Sequence, residues 1–226
     1  FSLETRITAR DRLELLRYTD FTTSLLYENY SLYQLFEIVL NDAGLTTDDY
    51  IIDASLQNII IPYAWFDRMS HRNALERLAQ CAYINVYCDR EGRIRVEPID
   101  TSQLVYFVLD DNINIYSKSY PISQTEITNY VEVATNTVTV QPLQEVLNIE
   151  EEIQIDPHSS LPLSFSFTTI PVKNVQQPVI VSDKEVEVEM QAYAWGVELT
   201  LTNPNDEPCT VTGITIQGQP LELSSK

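Results

Sequence analysis

Basic residues are scarce in this chain. Only 14 Lys and Arg stand against 33 Asp and Glu, a formal net charge of −19 over 226 residues. A duplex nucleic-acid binder displaces counterions with clustered cations, and an anionic membrane surface attracts the same groups. The composition argues against both partners. Glycine is scarcer still, at five residues. Neither G-x-x-x-x-G-K nor G-x-G-x-x-G occurs, so a phosphate cradle has little backbone to be built from. The three cysteines, Cys81, Cys88 and Cys209, form an odd set without a C-x-x-C pair. That argues against a disulfide scaffold or a zinc site. Reduced thiols in a protein assembled inside a cell are the expectation, since a Cys81–Cys88 bridge would strain a helix against its following strand. No apolar run approaches the ~18 residues of a membrane span, and no signal-peptide pattern is visible. The chain opens at Phe1 with a polar stretch and reads as a fragment or processed chain whose upstream part is missing.

Catalytic groups are equally thin. His71 and His158 are the only histidines, and G-x-S-x-G is absent, so a His–Ser–Asp triad has no frame. The acidic pairs Asp48-Asp49 and Asp110-Asp111 and the run 150–152 could in principle serve a glycosidase, but such runs arise without purpose in so acidic a chain. The stretch DDNIN at 110–114 resembles a partial calcium-ligand run, without the glycine and terminal Glu of an EF-hand loop. The reading is therefore non-enzymatic, with no catalytic residue, no metal site and no cofactor.

What is present is organised in two halves. All ten Arg lie within positions 1–100 and all four Lys beyond, which gives the halves charges of 10 − 16 = −6 and 4 − 17 = −13. Ten of the eleven prolines follow position 97. These shifts place a boundary near 100.

In the first half, LETRITA at 3–9 alternates as a strand and runs into a short helical turn at 10–19, with Asp11 free to cap it or pair with Arg10 or Arg12. The clearest helix is 31–43. Ser31 is its N-cap, and Leu32, Leu35, Phe36, Val39 and Leu40 form one apolar stripe at helical spacing. Gly44 supplies the left-handed position that ends it. Strands follow at 50–52 and 59–61, the latter halted by Pro62. Ser70 caps a second helix over 71–84, with Ala74, Leu75, Leu78, Ala79 and Ala82 as its buried stripe. Val86 and Tyr87 begin a strand that turns at Asp89-Arg90-Glu91-Gly92, and 93–97 pairs back as a hairpin. Beyond 100 the helical period vanishes and alternating runs repeat, among them QLVYFVL, NYVEVATNTVTVQP, LSFSFTTIPV and CTVTGITIQGQPLEL. These predict an all-β region of roughly ten short strands.

The expected fold class is α+β: a small helix-on-sheet domain at 21–100, then a larger all-β sandwich- or barrel-like region at 101–226, as one domain or two. Residues 1–20 read as the remnant of an upstream β-barrel. Arg72, Glu76, Arg77, Arg90, Arg93 and Arg95 form a charged outer face on the second helix and hairpin. The aromatic clusters PYAWFD, with Trp65, and AYAWG, with Tyr193 and Trp195, suit core packing, protein interfaces or sugar stacking.

Several phrases together resemble one family. The helix ending in Ala43-Gly44-Leu45, the Y-x-I-D strand at 50–53, the R-x-A-L helix at 72–75 and the Y-x-D-x-x-G turn at 87–92 are similar to the hub domain of phage tail baseplate hub and tail-tip proteins. TARDRLELL fits the exit from a tail-tube-like barrel, and the last thirty residues match weakly. The resemblance implies a structural role in a virion tail, assembled in the host cytoplasm. The intact protein would be a homo-oligomer, a trimer, bridging tube, spike or fibre proteins. Arg72, Arg77, Arg90, Arg93, Arg95, Trp65, Tyr193 and Trp195 are the candidate interface residues. A module that binds host-envelope glycan through Tyr and Trp is the alternative.

Overall fold

The computed structural model describes residues 10–99 and 137–223. The expected strand at 3–9, the runs over 101–136 and the DDNIN stretch lie outside these residues. The fold is α+β and mostly strand, with two buried hydrophobic clusters, one on each side of the undescribed stretch.

The first lobe contains α1 (Arg12–Leu15), β1 (Asp20–Phe21), β2 (Tyr27–Ser31), α2 (Leu32–Asp42), β3 (Tyr50–Ile52), a 3₁₀ turn (Ala54–Asn58), β4 (Ile60–Ala64), β5 (Met69–Ser70), α3 (His71–Cys81), β6 (Ile84–Cys88) and β7 (Ile94–Pro98). Helix α2 is specified at both ends. The Ser31 hydroxyl accepts from the Gln34 amide at 3.2 Å while the Gln34 side chain accepts from the Ser31 amide at 2.9 Å, a reciprocal capping box. At the other end, with Gly44 at φ +78°, the Leu45 amide donates to Leu40 and the Gly44 amide to Asn41, which satisfies the orphan carbonyls. The whole expected stripe is buried.

Helix α3 starts where Ser70 accepts from the Asn73 amide and buries His71, Ala74, Leu75 and Leu78, with Ala79 and Ala82 packed at the margin. It sits beside a small sheet with β7 at its centre. Strand β3 runs parallel to β7, and β6 antiparallel to it with Val86 opposite Val96. Ile94 and Val96 turn into the core at 0% and 1% exposure. Gly92, at φ +80°, closes the β6–β7 turn. Leu16 belongs to the same core and Leu13 packs against it.

Two local expectations are corrected here. The strand at 59–61 is not halted by Pro62: β4 runs through it to Ala64 in a two-stranded ribbon with β2. A proline, lacking an N–H, is tolerated in such an edge position. Asp11 makes no side-chain cap. Its neighbours pair elsewhere, Arg10 with Glu14 and Arg12 with Asp49.

The second lobe contains β8 (Val138–Val140), β9 (Gln144–Ile149), β10 (Ile153–Ile155), β11 (Ser160–Ser166), β12 (Val172–Lys173), β13 (Val179–Ser182), β14 (Glu187–Ala192), β15 (Gly196–Thr202) and β16 (Cys209–Leu223). Strand β16 organises a six-stranded sheet. It pairs with β9 and β10 along one edge and β13 along the other, with β8 and β12 near its end. A three-stranded sheet, β11-β15-β14, lies against the same core. Val197, Leu199 and Leu201 of β15 join Val211, Ile214 and Ile216 of β16 in one buried cluster. Among the described residues neither sheet closes into a barrel.

One buried polar side chain fixes the end of this lobe. Asn203 is fully buried, and its amide nitrogen lies 3.1 Å from the Ile155 carbonyl, 3.2 Å from Asp156 and 2.9 Å from Glu207. Its oxygen accepts from the Asn205 amide. The side chain thus ties β10 to the loop that leads into β16. Asn203→Ala strands the buried Ile155 carbonyl and the part-buried carbonyls of Asp156 and Glu207, and the expected loss is about 2–3 kcal/mol in urea unfolding. A change below about 0.5 kcal/mol, the size of an ordinary surface substitution, would contradict the assigned role.

Candidate functional site

The candidate arginines take different partners. Asp89 opens the β6–β7 turn. Its carboxylate accepts from the Glu91 and Arg93 amides at 3.1 and 2.8 Å and from the side chains of Arg93 and Arg95 at 3.1 and 3.3 Å. Arg93 and Arg95 therefore hold the hairpin. Burial pushes the Asp89 carboxyl up, but the Arg93 amide and the two guanidiniums outweigh it and hold the group below its ordinary value. Arg72 reaches across to Glu14 at 2.8 Å. Arg90 stands exposed at the turn. Arg77 lies elsewhere on α3, lining a shallow groove with Leu35, Tyr63, Trp65 and Cys81.

A second set of groups converges that the sequence reading did not single out. A groove of about 510 Å³ runs between α1 and the β6–β7 turn, lined by Arg10, Asp11, Arg12, Glu14, Leu15, Tyr18, Cys88, Asp89 and Arg90, among others. Leu15 and Tyr18 are 66% and 71% exposed. Glu14 receives three guanidiniums, from Arg10, Arg17 and Arg72. The signal was legible in part: four arginines fall within positions 6–17 of an otherwise arginine-poor chain.

The aromatic candidates divide as well. Trp195 is buried at 2% exposure. Its indole N–H donates to the Thr22 carbonyl at 2.7 Å, Tyr193 stacks on it with ring centroids 5.4 Å apart, and the Arg68 guanidinium lies 3.6 Å from its ring centre. Trp195 is thus no open platform for a sugar; it joins the two lobes. Around it the Ala194 amide donates to the Ser24 carbonyl, the Ser24 hydroxyl accepts from the Phe66 amide, Arg68 donates to Ser164, and Lys173 pairs with Glu28. A side chain on Gly196 would collide with the Phe165 carbonyl, so the turn after Trp195 demands glycine. Tyr193 is half-buried. Burial and the neighbouring Glu198, which accepts its hydroxyl at 3.2 Å, raise its pKa. Trp65 lines a different groove, about 470 Å³, with Tyr63, Ile170, Pro171, Leu221 and Leu223.

The histidines are placed by hydrogen bonds. His71 is not an open helix-start residue: it is 3% exposed, with Nδ1 2.9 Å from the Thr19 hydroxyl and Nε2 2.9 Å from Asp42. His158 sits in an exposed loop beside Asp206. Asp49 accepts from the Thr46 amide and hydroxyl and pairs with Arg12, all of which lower its pKa. Glu150, Glu151 and Glu152 are exposed between β9 and β10. Among the described residues no cluster of three or more His, Cys, Asp or Glu is placed to hold a metal ion, and no helix is long and apolar enough to cross a membrane. All three cysteines are free thiols.

Trp195→Ala is expected to cost about 3–5 kcal/mol, the range for truncating a large buried aromatic. It should also split the thermal transition by uncoupling the lobes; a single transition at unchanged Tm would contradict the coupling. The lowered pKa of Asp89 means that its stabilisation is present above the ordinary carboxylate value of about 4 and is lost as pH falls through the folded value. The Tm difference between the parent chain and Asp89→Asn should therefore shrink in acid below pH about 4. A difference independent of pH there would show that the carboxylate charge is not what holds the turn.

Comparison with protein-family models, with curated proteins and with solved structures gives no match for this chain.

Proposed function

We propose that this chain is a structural component of a phage or prophage tail, a baseplate hub or tail-tip element that works by protein–protein assembly. The observation that carries the reading is the α1–hairpin groove, where exposed Leu15 and Tyr18 sit among the charged side chains of Arg10, Arg12 and Arg90 and of Asp11, Glu14 and Asp89. Aromatic residues and arginine are enriched at assembly interfaces and their hot spots. The resemblance supplies the setting. Its phrases fall at the α2 C-terminus, β3, α3 and the β6–β7 turn, the elements that make the first lobe a rigid block. In this reading the second lobe is a β-sandwich and the intact protein is a trimer. Its neighbours are the tube, spike or fibre proteins of a tail assembled in the host cytoplasm.

A second reading, adsorption to a host-envelope glycan, is favoured by one observation: Tyr63 and Trp65 line an open apolar groove beside Pro171. Proteomics of tail particles purified after prophage induction tests the first reading. Peptides of this chain should co-purify at ring-like stoichiometry with tube and fibre proteins, and their absence from intact particles would reject it. A glycan array separates the second: reproducible binding abolished by Trp65→Ala favours adsorption, and silence across wall glycans removes it.

A further inference from the structure

The α1–hairpin groove is lined by Arg10, Arg12 and Arg90 and by Asp11, Glu14 and Asp89; Arg12 is paired with Asp49, while Arg17 and Arg72 at Glu14 and Arg93 and Arg95 at Asp89 add cations around it. One carboxylate, Glu14, faces three guanidiniums, and Arg10 and Arg17 remain 62% and 63% exposed while bound to it. Arg90, at the rim, has no carboxylate partner among the described residues. The floor offers the apolar surface of Leu15 and Tyr18. Such a groove fits an extended, acidic, partly apolar segment.

The chain presents that segment itself. Strand β14 pairs with β15 and with no other strand among the described residues. Glu187 and Glu189 on it, and Glu185 just before it, are exposed and alternate with Val186, Val188 and Met190, which pack on the core. None of the three glutamates has an ion-pair partner among the described residues. The two described lysines, by contrast, are both paired, Lys173 with Glu28 and Lys184 with Glu207. Successive exposed positions on a strand stand about 7 Å apart, so Glu187 and Glu189 form a row, with Glu185 leading into it, rather than a point charge.

We propose that copies of this chain associate head to tail, the acidic β14 edge of one copy seated in the arginine groove of the next. The inference deepens the assembly reading by naming a second copy as the partner and both contacting faces. A heterologous contact of this kind closes into a ring or propagates as a filament.

Two charge-reversed variants of the full chain test it: Arg10→Glu with Arg90→Glu in the groove, and Glu187→Lys with Glu189→Lys on the edge. Sedimentation velocity over a concentration series should show the parent self-associating and each variant weakened at least about tenfold. An equimolar mixture of the two variants should recover association, because the intact edge of one meets the intact groove of the other. Unchanged Tm in both variants keeps the comparison one of contact rather than folding. A parent that stays monomeric, variants that associate as well as the parent, or a mixture that does not recover would each overturn the proposal. Presence of the chain in purified tails would leave the assembly reading standing even then, so the two fail separately.

Discussion

The hydrogen bond from the Trp195 indole to the Thr22 carbonyl is the contact on which the shape of the described structure depends. A buried indole N–H without an acceptor would cost more than most single contacts return. The ring therefore docks where the first lobe offers a bare carbonyl, between β1 and β2. Tyr193 and Arg68 then enclose the ring, and the Ala194 amide finds Ser24. Two cores that each bury their own residues become one body with a fixed relation between the first lobe and the acidic sheet of the second.

A second internal constraint acts within the first lobe. His71 is buried with both ring nitrogens bonded, one to Thr19 and one to Asp42. Its amide also donates to the Thr19 carbonyl. The start of α3, the end of α2 and the lead into β1 therefore meet on one imidazole. Both ring nitrogens are thus satisfied, as a buried polar group requires.

Local devices were readable from the sequence because their partners are near in the chain. The α2 stripe, Ser31, Gly44 and the Gly92 turn depend on neighbours within five residues, and the structure has them as read. The Gln34 half of the capping box and the Asx turn at Asp89 were present in SLYQ and DREG but were not read out of them. Long-range partners were not legible. Nothing in HRNAL tells that His71 meets Asp42, and nothing in AYAWG tells which side of Trp195 is covered. The partners of the arginines were hidden for a related reason. Residues grouped by sequence proximity were divided by the fold, with Arg93 and Arg95 holding a turn and Arg77 facing another groove, while Arg10 and Arg17, remote in sequence, joined Arg72 at Glu14. Pro62 reads as a stop, but the strand lies in a two-stranded ribbon, where an edge position tolerates a proline.

The segregation of charge between the halves gains a physical meaning in this geometry. With every Arg in the first hundred positions and a −13 balance beyond, two copies that met through the same patch would set arginine against arginine or glutamate against glutamate. Like charges brought together at close range disfavour such a contact. Contact between unlike faces escapes that penalty, and exposed ion pairs select register and orientation more than they add affinity. In the proposed contact the apolar surface of Leu15 and Tyr18 would supply most of the attraction, roughly in proportion to the area it removes from water. In the proposed head-to-tail contact, charge pattern would choose which faces meet, hydrophobic burial would hold them, and the Trp195 junction would fix the angle between the two faces of each copy. That angle would decide between a closed ring and an open filament, so a junction inside each copy would govern the form of the assembly.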